Sequence, residues 1–277
     1  MANQQTIIGL DTPGCSWDPL FSAYYAQHRQ EILPGEVDFW RSHCRPGDRV
    51  LEVGAGTGFI ARAYAPLPRL ELTLIEPEAT NVAYLKRIST NPTTTLEIFP
   101  GIFQHFKQPQ PFDLVVSSWD NLVMFTDDKG KDGFFSFAAR SLRPGGRFVT
   151  HLSSEKWNKQ VFLKLQKPKE FAVKIDDEEF QVTFLIEEAE KNLYHKMIVL
   201  RSLSRNLKKN YALPTRIDSL ERTLERASAA GFVLLKRTSD ISGTTHPIPM
   251  IMSLSFKSPN NQPPSPIRKY EHEQSGT

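Results

Sequence analysis

The fold of this chain is decided by residues 50–58, whose sequence is VLEVGAGTG. A short, mostly apolar strand runs directly into three glycines that alternate with other residues, and a helix is predicted to follow through Ala63. Glycine has no Cβ, so the backbone can turn sharply here and a ligand can approach it closely. The pattern predicts a strand–loop–helix unit that binds a nucleotide-like ligand at the carboxyl edge of a sheet.

Outward from this loop, predicted strands alternate with predicted helices. Such alternation is typical of crossover connections, so we expect an α/β fold with a doubly wound, mostly parallel, seven-stranded sheet and helices on both faces. Arg143-Pro144-Gly145-Gly146 marks the turn before the fifth strand. The predicted strands are Arg49–Val53, Leu70–Ile75, Thr95–Phe99, Phe112–Ser117, Arg147–Leu152, Phe232–Arg237 and Met250–Phe256.

The alternation stops after residue 152, and this break sets the predicted domain organisation. Residues 153–210 combine a helix near Trp157–Leu165 with strand-like runs at 171–175, 180–186 and 193–203, which predicts an antiparallel β insertion acting as a lid. The polar run Glu187–Asn192 is the predicted hairpin turn. The other segments are a flexible tail 1–16, an N-terminal helical cap 17–45 that opens at Asp18-Pro19, a core 46–152, a terminal helix with strands 211–257, and a disordered tail 258–277.

Composition narrows the class of protein. The formal net charge is +3, from 34 basic and 31 acidic residues among 277, which is weak for a nucleic-acid-binding protein. No apolar run approaches the ~20 residues needed to cross a bilayer, and residues 1–14 do not resemble a secretory signal. Two cysteines, Cys15 and Cys44, form no metal-type pair. We therefore expect a cytoplasmic protein without a membrane segment, a structural metal or a nucleic-acid partner.

Two residues near the glycines discriminate between nucleotide-like ligands. The dinucleotide fingerprint needs a third glycine at position 59, where this chain has Phe59. Glu52 stands just before the loop, and its carboxylate would repel a pyrophosphate but attract the sulfonium and ammonium of S-adenosylmethionine. The Gly-Lys-Ser/Thr sequence of a phosphate-binding loop is absent. These residues favour S-adenosylmethionine over NAD, and so disfavour an NAD-dependent oxidoreductase.

Four stretches of the chain resemble the class I S-adenosylmethionine-dependent methyltransferases. They are VLEVGAGTG at 50–58, LIEP at 74–77, FDLVVSS at 112–118 and LRPGG at 142–146, and the looser match Ala230-Gly231-Phe232 follows near the end. The resemblance covers roughly residues 45–152. It implies one methyltransferase domain over 17–257, S-adenosylmethionine as cofactor, and an antiparallel seventh strand.

The cofactor-binding residues are predicted from spacing and from this resemblance. Glu76 follows Gly58 by 18 residues, close to the ~20 at which related folds place the acid that binds ribose hydroxyls. The resemblance implies that the segment after the third strand surrounds adenine and that Ser118 and Trp119 face the methionine part. The full set is Tyr24, Arg29, Glu52, Gly54, Ala55, Gly56, Gly58, Glu76, Pro77, Gly101, Ile102, Phe103, Ser118 and Trp119.

Methyl transfer from a sulfonium is an in-line displacement, and a hydroxyl or ammonium acceptor also needs a base. The candidate catalytic residues are Asp120, His151 and Tyr25, with a helix N-cap as the alternative for Asp120 and core packing as the alternative for His151. Tyr24 and Tyr25 lie about 100° apart on a helix, so one of them is expected to face the cofactor. Asp120 and Asn121 alone cannot bind a metal ion, so we expect metal-independent transfer.

The expected function is methyl transfer to nitrogen or oxygen of a small-molecule acceptor. Two alternatives remain open: a protein side-chain methyltransferase, and a cofactor-binding fold used as a non-methylating cyclase, isomerase or partner subunit. The insertion is also a candidate homodimer contact. Its basic stretches, 156–174 and 201–209, surround the acidic run 176–179, which indicates either a solvated surface or attraction of an anionic substrate or carrier protein.

Overall fold

A computed structural model describes residues 17–28, 35–107, 110–117, 121–153, 167–238 and 251–257. The predicted tails 1–16 and 258–277, and the predicted helix near Trp157–Leu165, lie outside these ranges.

Seven α-helices fall within the described residues: α1 Pro19–His28, α2 Glu36–Ser42, α3 Ala61–Tyr64, α4 Ala79–Leu85, α5 Asn121–Met124, α6 Asp128–Ser141 and α7 Leu220–Ala229. Several helix ends are set by local side chains. The Asp18 carboxylate accepts a hydrogen bond from the Phe21 amide (2.9 Å), and Ser219 caps α7 in the same way. Gly231 (φ 88°) ends α7 in the left-handed conformation that glycine adopts without strain.

The strands form two sheets. They are β1 Arg49–Val53, β2 Glu71–Ile75, β3 Thr95–Phe99, β4 Phe112–Ser117, β5 Leu142–Ser153, β6 Lys169–Ile175, β7 Glu178–Glu190, β8 Leu193–Ser202, β9 Lys208–Arg216, β10 Val233–Thr238 and β11 Ile251–Lys257.

The larger sheet has β1 at the centre of five parallel strands. Its order is β10-β11-β5-β4-β1-β2-β3, with β11 antiparallel to both β5 and β10. The predicted α/β class is therefore confirmed. β5 starts earlier than predicted, because Leu142 already pairs with Phe112 and the following Pro-Gly-Gly turn is accommodated as a bulge in the pairing with β4.

Both faces of the central strands β1 and β4 are buried, which explains the continuous apolar character of these strands. Leu51 and Val53 of β1 face a core built mainly from α6, α7 and aromatic side chains. Val50 faces the opposite core, where Trp40 of α2 and Tyr64 of α3 are buried. The two cores hold β1 in place, and the glycine loop emerges from its carboxyl end.

The insertion is a four-stranded antiparallel sheet in the order β6-β7-β8-β9. β9 was not predicted, and it runs across the predicted boundary at residue 210. The turn predicted over Glu187–Asn192 is shorter than expected: β7 continues through Glu190, and Asn192 (φ 65°) takes the left-handed position between β7 and β8. The backbone of residues 187–190 forms hydrogen bonds with β8, so the polar side chains of this segment do not end the strand.

Helix α1 connects the insertion to the core. Phe21 stacks on Tyr211 of β9 with ring centroids 4.4 Å apart, and both rings are buried in the core of the second sheet. On its other side, the Ser22 hydroxyl lies 2.8 Å from the Thr80 hydroxyl of α4. Helix α1 thus lies between the insertion and the segment that follows β2.

Candidate functional site

The glycine loop adopts a backbone that other residues rarely take. Gly54, Gly56 and Gly58 have φ values of 70°, 56° and 82°, all in the left-handed region. The Ile75 carbonyl at the end of β2 accepts hydrogen bonds from the Gly54 and Ala55 amides, at 2.9 and 3.0 Å. The three glycines therefore turn the chain tightly at the carboxyl edge of the sheet, as predicted from their spacing.

Glu76 lies next to this loop and is only 4% exposed. Its Oε2 accepts a hydrogen bond from the Gly56 amide at 2.7 Å, and its Oε1 accepts from the Glu78 amide and the Asn81 side-chain amide at 3.0 and 3.2 Å. Burial raises the pKa of Glu76, while these three hydrogen bonds act in the opposite direction. The carboxylate is thus fixed at the edge of the loop with acceptor capacity left for a ligand diol.

Glu78, two residues further on, has a perturbed carboxyl group. Partial burial and, secondarily, the charge of Glu76 raise its pKa from 4.5 to about 7. A raised pKa means that the stability associated with the neutral carboxyl is present below pH 4.5 and is lost as the pH rises through 7. Glu78→Gln is uncharged at every pH, so we expect it to melt at a higher temperature than the wild type at pH 8.

Thermal melts between pH 5 and pH 8 test this expectation for Glu78. The gap between variant and wild type should narrow as the pH falls through 7 towards 5. Glu97→Gln makes the same chemical change at an exposed position on β3 and is the matched control. A gap that widens as the pH falls would contradict the assignment.

One of the two predicted tyrosines lies over the loop. Cε1 of Tyr25 is 3.9 Å from the point where a Cβ on Gly56 would lie, and its ring packs edge-on against Trp17 with centroids 4.9 Å apart. Tyr24 instead stacks on His28, with centroids 5.3 Å apart, in the core of the second sheet. Helical geometry separates the two side chains, so the structure brings Tyr25 and not Tyr24 to the glycines.

Glu52 and His151, both predicted to be at the site, are buried beneath α2 and α3. Glu52 is 0% exposed, and its carboxylate accepts a hydrogen bond from the Tyr64 hydroxyl. The His151 ring packs against Trp40 with centroids 4.4 Å apart. The structure therefore gives the Glu52 carboxylate a partner inside the protein, and the core-packing alternative for His151 agrees with its surroundings.

The end of β3 lies beside Glu76, whose amide donates to the Phe99 carbonyl at 3.1 Å. Gly101 and Ile102 are half-buried there, and Pro77 is exposed. The Phe103 side chain, by contrast, is buried among Phe125, Phe134 and Phe137. Only its backbone could serve a ligand. The predicted residues Arg29, Ser118, Trp119 and Asp120 lie outside the described residues.

Asn121 contacts the loop although the sequence analysis assigned it no such role. Its Nδ2 donates to the carbonyls of Val53 and Gly54, at 2.9 and 3.1 Å. The sequence could have indicated this contact, because carbonyls in a sharply turned loop need hydrogen-bond donors from another segment. Asn121 is a suitable donor, since it follows the strand next to β1.

The geometry suits a nucleoside cofactor. Among the described residues, only the Tyr25 ring comes within 4 Å of a Cβ built on Gly56, so a ligand can approach this backbone between the ring and Glu76. Within the same residues, no group of three or more His, Cys, Asp or Glu side chains could hold a metal ion. None of the helices in the described part of the chain has the length and apolar character of a membrane-spanning helix.

Comparison with known proteins agrees with this geometry. Residues 50–146 match the family described as "Methyltransferase domain". A curated relative, the ribosomal RNA small subunit methyltransferase G of Mycoplasmopsis pulmonis, is 28% identical over 89 residues, which are 32% of this chain and 39% of that protein. The match thus spans about two fifths of that relative's length.

Solved structures share the fold at low sequence identity. An S-adenosylmethionine-dependent methyltransferase from Clostridium acetobutylicum superposes with a TM-score of 0.66 at 14% identity, covering 87% of this chain and 98% of that one. The CcbJ methyltransferase from Streptomyces caelestis gives 0.67 at 16%, with 87% and 99% covered. The sugar N-methyltransferase KedS8 from Streptoalloteichus gives 0.65 at 16%, with 94% and 99% covered.

The chain thus has the fold of class I, Rossmann-like methyltransferases, and its residues 50–146 match a methyltransferase domain.

Proposed function

We propose that this protein transfers the methyl group of S-adenosylmethionine to a nitrogen or oxygen atom of a small-molecule acceptor, without a metal ion. The observation that carries the proposal is the pairing of Glu76 with Gly56. A buried carboxylate held 2.7 Å from a loop amide has acceptor capacity left on Oε2 for a ribose hydroxyl. The loop of this chain lacks the third glycine of the dinucleotide fingerprint, so it gives no comparable reason to expect NAD.

The cofactor supplies a methyl group on a positively charged sulfur, which is already an excellent leaving group. The residues of this chain then have to bind, orient and exclude water. Glu76 would hold the ribose, the loop backbone would contact the nucleoside closely, and the ring of Tyr25 would cover Gly56. Of the two candidate catalytic residues that the structure describes, Tyr25 and His151, it is Tyr25 whose contacts support a place at the cofactor.

The acceptor is proposed to bind on the side of the loop covered by α1 and the second sheet, which would act as cap and lid. The fold neighbours support a small molecule: one is described as a sugar N-methyltransferase, another as an amino pentose methyltransferase and another as a glycopeptide N-methyltransferase. The match to the ribosomal RNA methyltransferase covers only 32% of this chain.

The test has two stages. Calorimetric titration with S-adenosylmethionine and with NAD establishes which cofactor binds. Incubation with methyl-labelled cofactor and fractionated metabolites, proteins and RNA then establishes where the label goes. Label in a small molecule supports the proposal, and label in protein or RNA redirects it to those acceptors. Tight binding without transfer would favour a non-methylating use of the fold, and binding of NAD alone would overturn the proposal.

We also propose that the insertion mediates a homodimer. Leu185, Met197 and Ala212 are cross-strand neighbours on the face of the second sheet opposite to α1, and all three are half-buried. Met197→Glu would place a charge in such an interface. We expect sedimentation velocity to show a dimer for the wild type and a monomer for the variant. A monomeric wild type would contradict the proposal.

A further inference from the structure

Asn121 holds the first glycine of the loop from the side opposite to β2. It is the first residue of α5, directly after the strand that neighbours β1. Its Nδ2 reaches both the last carbonyl of β1 and the carbonyl of Gly54, at 2.9 and 3.1 Å. These distances are those of ordinary N–H···O hydrogen bonds. One side-chain amide thus bonds two consecutive carbonyls at the point where the chain turns.

The conformation of Gly54 makes room for this side chain. A Cβ at Gly54 would lie only 2.8 Å from Asn121 Nδ2, so the amide occupies the space that the absent side chain leaves. On the other side, the Gly54 amide donates to the Ile75 carbonyl at 2.9 Å. Gly54 is therefore hydrogen-bonded to β2 through its N–H group and to α5 through its carbonyl oxygen.

Helix α5 is itself firmly held. Leu122 and Val123 are buried, and the helix packs against β9 of the second sheet. The guanidinium of Arg216, at the end of β9, donates to the Thr126 carbonyl just after α5, at 3.2 Å. Asn121 consequently projects from an anchored support, and its position relative to the loop is set by packing on both sides.

The strand order shows which part of the cofactor this contact concerns. β1 lies between β2 and β4, and β3 lies beyond β2. If Glu76, after β2, holds the ribose, the nucleobase extends towards β3 and the amino-acid part extends the other way, towards β4 and α5. Gly54 and Asn121 stand on that second side.

We infer that Asn121 is a positioning residue that fixes the Gly54 end of the loop for the amino-acid half of the cofactor. The inference rests on the proposed function. The inference predicts different effects on the two halves of the ligand. Loss of the amide should loosen the loop where the amino-acid part binds, and should leave the Glu76–Gly56 contact that serves the ribose. A purely structural role would affect both halves of the ligand alike.

Two probe ligands distinguish the amino-acid half of the cofactor from its nucleoside half. S-adenosylhomocysteine carries the amino-acid part, and 5′-methylthioadenosine keeps the nucleoside and the sulfur but lacks it. We expect Asn121→Ala to weaken binding of S-adenosylhomocysteine about tenfold, because binding would then also have to order the Gly54 end of the loop. Affinity for 5′-methylthioadenosine should stay within about threefold. Asn121→Asp, whose carboxylate would face two carbonyl oxygens, should show the same split with a larger loss.

The matched control is Asn210→Ala, at an exposed position on β9, which should bind both probes like the wild type. Thermal melts accompany each titration. Should Asn121→Ala melt below the titration temperature, Asn121→Thr, which keeps one hydroxyl donor, takes its place with a smaller expected split. Equal losses for both probes, or unchanged binding of S-adenosylhomocysteine, would overturn the inference alone. A wild type that binds neither probe would overturn the proposed function, and this inference with it.

Discussion

Glu76→Gln is expected to weaken binding of S-adenosylmethionine about a hundredfold. A hydrogen bond to a charged acceptor is worth roughly 1.5–3 kcal/mol, and the proposed ribose contact uses the acceptor site left on Oε2. The glutamine side chain of the variant also disturbs the hydrogen bonds within the protein. Only one of its ends can accept, whereas the carboxylate accepts from the Gly56 amide with Oε2 and from Glu78 and Asn81 with Oε1. One loop or helix amide would then face an N–H group.

Calorimetric titration with S-adenosylhomocysteine measures this loss without knowledge of the acceptor. Glu97→Gln makes the same chemical change at an exposed position on β3 and should leave the affinity unchanged. Circular dichroism at the titration temperature checks that the Glu76 variant is folded. Affinity within about threefold of the wild type in a folded variant would show that Glu76 does not bind the cofactor.

Asp218→Asn is expected to lower the free energy of unfolding by about 3 kcal/mol, since it leaves buried cations without their shared anion. Asp218 follows β9 and its side chain is 9% exposed. One oxygen lies 3.1 Å from Nζ of Lys131 on α6, and the other accepts from Nε of Arg226 on α7 at 2.9 Å. Burial lowers the pKa of Lys131, and Asp218 opposes that effect.

Arg226 is the centre of this cluster. Its side chain is 2% exposed, and its other nitrogens pair with Asp128 and Asp132 of α6. These partners keep Arg226 charged in the variant, so the main loss falls on Lys131. Lys131 retains only the Arg216 carbonyl, at 2.8 Å, among the contacts described. The cluster joins the end of the second sheet to two helices of the core.

The melting temperature of Asp218→Asn should fall by about 6–12 °C for a domain of this size. Asp177→Asn, in an exposed pair with Lys174 at 3.3 Å, is the control and should change stability by less than about 0.5 kcal/mol. Chemical denaturation at pH 7.5 compares the three proteins. An Asp218 variant within about 1 kcal/mol of the wild type would show that the cluster contributes little to stability.

The proximity of Glu76 to the glycine loop could be predicted from the sequence. β1 and β2 are parallel neighbours, so their carboxyl ends meet at the same edge, and a spacing of 18 residues from Gly58 spans one crossover. The structure places the carboxylate 2.7 Å from the Gly56 amide. Its role in ribose binding stays a prediction.

The surroundings of Glu52 could not be predicted in this way. Alternation tells the two faces of a strand apart only when one face is polar, and β1 is buried on both. An electrostatic argument directed Glu52 towards the ligand. In the structure its carboxylate is bonded to Tyr64, from a helix that packs on the opposite face from Leu51. The case against a dinucleotide therefore depends on Phe59 and on the family match.

Strand β9 was missed for a related reason. Its first residues, Lys208-Lys209-Asn210, show no apolar alternation, and Pro214 normally interrupts a strand. Position in the sheet explains why the strand forms. β9 is an edge strand, and an edge tolerates both proline and a solvated end. Edge position depends on the neighbouring strands and is not visible in the strand's own sequence.

By itself the sequence determined the α/β class and the loop at residues 50–58, because these depend on local periodicity, on glycine conformation and on short-range spacing. Only the tertiary structure decided that Tyr25 rather than Tyr24 faces Gly56, that Asn121 bonds the loop, and that Asp218 joins Lys131 to Arg226. The contacts Tyr25–Gly56, Asn121–Gly54 and Asp218–Lys131 join residues 31, 67 and 87 positions apart. Such contacts form only when separately folded elements pack together, so the direction of the side chain is set by that packing and not by its neighbours in the chain.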